Sequence, residues 1–128
     1  MDILKASILL IEDDPLLYDM YKIKFDLAGL RLLVAHGGYE GLAMAKKERP
    51  DLILLDIRMD DLDGFEVLKR LKADPSLSTI PVFLLTNMGE KDNAQRGKEL
   101  GAEGYIMKAK LLPQDLIDLV TERLKKIK

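Results

Sequence analysis

Two uninterrupted apolar runs, each ending in acid, constrain this chain most. Ser7-Ile8-Leu9-Leu10-Ile11 runs into Glu12-Asp13-Asp14, and Leu52-Ile53-Leu54-Leu55 runs into Asp56. Short continuous apolar runs suit strands buried on both faces, as in a parallel sheet covered by helices. In an open α/β sheet, sites form beyond the carboxyl ends of the strands. If the two runs are neighbours, their carboxylates converge. Like charges so crowded raise each other's pKa unless something positive sits among them. A hard divalent cation with oxygen ligands is the simplest resident.

The rest of the chain repeats the alternation. Strand one covers about 7–11, and Asp14 as N-cap with Pro15 behind it opens a helix. Leu17, Met20, Tyr21 and Phe25 recur at helical spacing up to a stop at Gly29. A second strand follows at 30–35, a turn at Gly37-Gly38, and a helix over about 39–48 with Leu42 and Ala45 inward, ending before Pro50. Strand three covers about 51–55. After a loop, Asp63-Gly64 opens a helix carrying Phe65, Leu68 and Leu71. Strand four follows Pro81 as Val82-Phe83-Leu84-Leu85, and strand five covers 104–107. Pro113 opens the last helix, with Leu116, Ile117, Val120, Leu124 and Ile127 as its apolar stripe. Five such β–α units with short links imply one domain, 1–128, built on a parallel sheet with helices on both faces. The fourth helix, about 90–100, has almost no apolar stripe, and its Gly97 costs about 1 kcal/mol against alanine. That is the pattern of an element with little to bury and room to shift.

Composition narrows the function. With 128 residues, 48% of them hydrophobic and 33% charged, the chain has enough apolar content for a packed core and enough charge for a solvated surface. A net charge of -2 offers no basic field for nucleic acid, so no direct nucleic-acid contact is expected. The absence of cysteine excludes disulfides, thiolate chemistry and Cys-based zinc sites, and the single histidine, His36, builds no metal site alone. No apolar stretch approaches the roughly 20 residues needed to span a bilayer, and Met1-Asp2-Ile3-Leu4-Lys5 lacks a signal-peptide pattern. A cytoplasmic location without membrane contact is expected.

The strand ends together suggest chemistry. Strand one supplies Glu12, Asp13 and Asp14, strand three Asp56, strand four Thr86, and strand five leads to Lys108. Carboxylates with a magnesium ion, a hydroxyl and an ammonium suit a phosphoryl group: the cations neutralise its oxygens and the hydroxyl donates to them. One carboxylate can also serve as nucleophile, giving an aspartyl phosphate. Asp14 reads as a helix cap rather than a ligand.

At these residues the chain resembles the receiver domains of two-component response regulators, of the single-domain chemotaxis-regulator type. The motifs are Ile8-Leu9-Leu10-Ile11-Glu12-Asp13-Asp14-Pro15, Asp51-Leu52-Ile53-Leu54-Leu55-Asp56-Ile57-Arg58-Met59, Asp63-Gly64, Leu84-Leu85-Thr86 and Gly104-Tyr105-Ile106-Met107-Lys108. Each alone is weak, but their order at successive strand ends is specific and spans essentially the whole chain. The resemblance implies an α/β flavodoxin-like (βα)5 fold with a five-stranded parallel sheet in order 2-1-3-4-5. It implies that Asp56 accepts a phosphoryl group from a phosphohistidine on a histidine kinase or histidine phosphotransferase. Mg2+ would be held by Glu12, Asp13, Asp56 and the backbone carbonyl of Arg58, with Thr86 and Lys108 on phosphoryl oxygens. Thr86 and Tyr105 would couple the phosphoryl state to a downstream protein through the face formed by helix four, strand five and helix five. The chain would act as a monomer or a phosphorylation-dependent dimer, with slow loss of its own phosphoryl group.

Several positions depart from the family's pattern. Glu12 stands where aspartate is more common, and Asp60 where proline commonly follows the methionine, making that loop looser and more acidic. Asn87 replaces a small residue and would narrow access to Asp56. Ala109 replaces the proline after the lysine, so the Lys108–Ala109 peptide is expected trans, since a non-proline cis bond costs about 3 kcal/mol. The stretch 109–112 runs one residue long. Neither Arg58 nor Met88 can orient an attacking water, which favours a long-lived phosphoryl group. Three competing classes are weaker. A Mg2+ phosphatase or phosphotransferase with an aspartyl nucleophile often needs an acid where Arg58 stands. A flavin carrier on this fold needs a phosphate-cradling loop where Glu12-Asp13-Asp14 would repel one. A phosphorylation-independent interaction module would have no use for Asp56, Thr86 and Lys108 together.

Overall fold

Burial on both sides explains why the five apolar runs form a central sheet. In the computed structural model, which describes residues 2–86, 91–108 and 111–127, the elements alternate strictly after a short 3-10 turn at Ile3–Lys5. They are β1 (Ser7–Ile11), α1 (Pro15–Leu27), β2 (Arg31–Ala35), α2 (Gly38–Glu48), β3 (Leu52–Asp56), α3 (Gly64–Ala73), β4 (Val82–Thr86), α4 (Lys91–Glu99), β5 (Gly104–Met107) and α5 (Pro113–Lys125). The expectations for Asn87, Met88 and the Lys108–Ala109 peptide bond fall outside the described residues.

All strand pairings are parallel, in the order β2-β1-β3-β4-β5. The alternation of side chains along each strand divides the core in two. Ile8, Leu10, Leu52, Leu54, Phe83 and Leu85 face Tyr21 and Phe25 of α1 and Leu116, Ile117, Val120 and Leu124 of α5. Leu9, Ile11, Ile53, Leu55, Val82 and Leu84 face Ala45 of α2 and Phe65, Val67, Leu68 and Leu71 of α3.

Most boundaries fall where the local chemistry places them. Asp14 caps α1, its Oδ1 accepting from the Leu16 N–H at 3.0 Å, and Gly29 ends it with a φ of +76°. Asp63 caps α3 by accepting from the Glu66 N–H at 3.0 Å. Strand three is shifted by one residue from the expected 51–55. Asp51 exchanges bonds with Ser7 instead, its Oδ2 accepting the Ser7 N–H and its N–H donating to the Ser7 carbonyl, both at 2.8 Å. The ladder thus starts at Leu52 and carries Asp56 within the strand. Thr86 likewise closes β4. Helix α2 begins at Gly38, and its N-cap Gly37 has no side chain to cap it.

Candidate functional site

The strand order sets β1 beside β3, so Glu12, directly after β1, and Asp56, the last residue of β3, meet at the carboxyl edge. The Glu12 N–H donates to the Ala35 carbonyl at 3.0 Å, which continues the β1–β2 ladder and fixes where the side chain starts. Both carboxylates are buried, Glu12 at 1% and Asp56 at 7% side-chain exposure. Thr86 is buried at the end of neighbouring β4. Lys108, just past edge strand β5, reaches back across β4. Its ammonium donates to Glu12 Oε1 and, at 3.0 Å, to Asp56 Oδ1, leaving the lysine side chain 5% exposed.

Asp13 is half-buried, and its Oδ2 accepts from the Asp60 N–H at 3.0 Å. One oxygen from each of Glu12, Asp13 and Asp56 lies within 4.8 Å of the others. These residues, with Asp14, Leu17, Arg58, Thr86 and Lys108, line a cavity of about 170 Å³. Tyr105 does not line it. On β5 and paired with Leu84 of β4, it faces a separate crevice of about 240 Å³ bounded by Ala94, Gly97 and Lys98 of α4.

Two carboxylates sharing one ammonium leave a surplus negative charge in a dry place. Burial pushes the Glu12 carboxyl up to about 7; the Lys108 hydrogen bond opposes this, and the Asp56 carboxylate adds to it. For Lys108, burial works against the charge, but the bond to Glu12 and the charges of Asp56 and Glu12 prevail and hold the amine above its ordinary range. This donor set, three carboxylates against one ammonium, leaves two negative charges uncompensated and fits a divalent cation of the magnesium class. Soft or imidazole-preferring metals find neither sulfur nor nitrogen among these ligands.

Sequence reasoning picked out Glu12, Asp13, Asp56, Arg58, Thr86 and Lys108, and the fold brings all six to one cavity. The loop that follows Asp56, expected to be loose, is instead tied down, by the Asp60 N–H on Asp13 and by Asp61. Asp61 accepts three backbone N–H bonds, from Gly38 at 2.9 Å, Tyr39 at 3.2 Å and Leu62 at 2.8 Å. These bonds, Gly38's foremost, hold its carboxyl below the usual carboxylate range. The only advance signal was Gly37-Gly38, read as a turn. His36, expected at the surface, is exposed and stacks on Tyr18 with ring centroids 4.5 Å apart. Tyr21, expected in the core, is there, and burial raises its phenol.

Comparison with known proteins agrees with this geometry. The response regulator receiver domain family matches residues 8–121. Protein PilH of Pseudomonas aeruginosa is 37% identical over 105 residues, covering 80% of this chain and 85% of PilH. The polar-differentiation response regulator DivK of Brucella anthropi is 34% identical over 108 residues, covering 84% of this chain and 88% of DivK. The DNA-binding dual master transcriptional regulator RpaA of Synechocystis is 39% identical over 101 residues, but the match covers only 42% of RpaA. Among solved structures, a CheY-like receiver domain from Methanospirillum hungatei superposes with a TM-score of 0.85 at 30% identity, covering 94% of each chain. The receiver domain of the Francisella response regulator 1452 gives 0.88 at 28% identity, covering 97% of this chain and all of that one. The chain belongs to the response regulator receiver family, the phosphoacceptor switches of two-component signalling.

Proposed function

We propose that Asp56 is the phosphoacceptor and that its donor is a phosphohistidine of a histidine kinase or phosphotransferase, the partners with which receiver domains work. The observation that carries this is the Lys108 ammonium, bonded to Asp56 Oδ1 inside the cavity that also holds Glu12, Asp13 and Thr86. A carboxylate oxygen of Asp56 attacks phosphorus. The P–O bond forms as the P–N bond to imidazole breaks, and the imidazole nitrogen leaves with the bonding pair and takes up a proton. Lys108 then exchanges a carboxylate oxygen for a phosphoryl oxygen, and the buried Thr86 lines the same cavity. Glu12, Asp13, Asp56 and the Arg58 carbonyl are the groups that would hold Mg2+. When bound, that ion neutralises phosphoryl charge that the acids alone would repel.

The mouth of the site also suits a partner. Leu17 lines the cavity, and Leu16 beside it on α1 is 83% exposed. A histidine-bearing helix laid against this end of α1 would have an apolar contact next to Asp56. The change at Asp56 would pass through Thr86 to Tyr105, whose crevice lies under α4, and so to the face of α4, β5 and α5.

The test is beryllofluoride with Mg2+, read by 15N NMR on the wild type and Asp56→Asn. Shifts are expected around Asp13, Asp56, Thr86 and Tyr105 in the wild type and none in the variant. A wild type without Mg2+-dependent shifts would overturn the proposal.

A further inference from the structure

Gly37-Gly38 and the acidic pair Asp60-Asp61 play no part in the proposed phosphoryl chemistry, yet they meet. The N-terminus of α2 has no side-chain cap of its own, and a helix start leaves unpartnered N–H groups. Asp61, from the β3–α3 loop, supplies the missing acceptor, taking the Gly38 and Tyr39 N–H groups at 2.9 and 3.2 Å. The approach is close at both glycines, and closer at Gly38. A Cβ on Gly37 would lie 3.0 Å from Asp61 Oδ2, and one on Gly38 would lie 2.8 Å from the Leu62 Cβ.

The residue before Asp61 is bound on the other side. The Asp60 N–H donates to Asp13 Oδ2 at 3.0 Å, joining residues 47 apart in the chain. Proline has no N–H, so this bond exists only because position 60 is not proline. The 57–63 loop is thus tied at consecutive residues to α2 by a side chain and to Asp13 by the backbone. Arg58 rides in the same loop, three residues before Asp61.

We propose that Asp61 is a positioning residue for the metal site, fastening the loop to α2 so that the Asp60 N–H holds Asp13 in its ligand orientation. The inference rests on Mg2+ binding by Asp13, Glu12 and Asp56. Partners that orient a metal ligand typically change affinity by about 10–100-fold when removed, and Asp61, one step further out, belongs at the low end, near tenfold.

The experiment is a Mg2+ titration of the 15N-labelled full chain, followed at the amides of Asp13, Asp56 and Asp60. The variants are Asp61→Ala, Asp61→Asn, Asp60→Ala and Asp60→Pro. Asp61→Ala and Asp60→Pro are expected to weaken Mg2+ about tenfold. Asp61→Asn, which keeps one acceptor oxygen for Gly38 but loses the charge and the bond from Tyr39, is expected to fall between wild type and Asp61→Ala, and Asp60→Ala, which keeps the N–H, to stay within about threefold of wild type. The Asp60 amide is expected to move upfield and exchange faster in metal-free Asp61→Ala. Three results would overturn the proposal: Asp61→Ala binding Mg2+ as the wild type does; an unchanged Asp60 amide in Asp61→Ala; or Asp60→Pro binding as Asp60→Ala does. If Asp61→Ala fails to fold, Asp61→Asn and the two Asp60 variants decide. A wild type with no saturable Mg2+ response would defeat the metal reading itself, while the Asp60 amide in metal-free Asp61→Ala would still report whether the clamp exists.

Discussion

Lys108 holds two buried carboxylates with one ammonium, and the pH dependence of that arrangement can be worked out. Glu12, pushed up to about 7 from an ordinary 4.5, keeps its proton longer in the folded chain than in the unfolded one. Its contribution to stability is therefore complete below about 4.5 and is lost as pH rises through about 7. Lys108 limits that loss by supplying the opposite charge. Lys108→Met removes it and leaves Glu12 and Asp56, 1% and 7% exposed, facing each other. Breaking a buried pair in this way costs about 3–5 kcal/mol. Because Lys108 opposes the burial that raises Glu12, its removal lifts that carboxyl further, and the cost grows as pH rises from about 5.5 to about 8. Urea unfolding of the metal-free protein at both pH values measures this. Equal losses would mean that Lys108 acts as a space-filler and not as a counter-ion.

Among the helices, α4 has the most polar sequence, the run from Lys91 to Glu99, and among its described residues Gly97 is the buried one, against Leu84 of β4. A Cβ on Gly97 would approach Leu84 Cδ1 to 2.4 Å, and Arg96 lies over the Phe65 ring at 4.3 Å. Gly97→Ala therefore sets a helix-propensity gain of about 1 kcal/mol against a clash of similar size, for a net change near zero. In a Leu84→Ala background the clash is gone and the same substitution stabilises by about 1 kcal/mol. A double-mutant cycle in urea is expected to show a coupling of at least about 0.5 kcal/mol, and strict additivity would mean that α4 does not rest on Leu84. The helix's polarity was legible in the sequence because it is a local pattern. The purpose of Gly97 was not, since it depends on a residue thirteen positions earlier and on how closely a helix meets a sheet. The same division holds at the site. Acids at strand ends are read from strand endings, so Glu12, Asp13 and Asp56 were visible at once. The Asp60 N–H on Asp13 and the Asp61 cap on α2 join separate loops, and no local pattern announces them.

For the molecule as a whole, the proposed metal site and the fold are linked because its candidate ligands come from separate β–α units that only the folded sheet assembles. Glu12 and Asp13 follow β1, and Asp56 ends β3. An ion bound only to the folded state stabilises it by mass action, by about 1.4 kcal/mol at tenfold above Kd. In a domain of this size that raises Tm by about 5 °C. The gain must depend on pH, because Mg2+ needs Glu12 without its proton. Below about 7 the ion competes with that proton, so its affinity falls as pH falls. Thermal unfolding followed by circular dichroism, with and without Mg2+ at a fixed concentration about tenfold above the Kd measured near pH 8, is therefore expected to show the full shift there and a small one near pH 5.5. Asp13→Ala should remove the shift at both pH values, since it deletes a ligand and not merely a charge near one. A shift of equal size at both pH values would place the stabilising ion away from Glu12. A shift surviving Asp13→Ala would place it away from the site altogether, and the acidic cluster would then be neutralised by Lys108 alone.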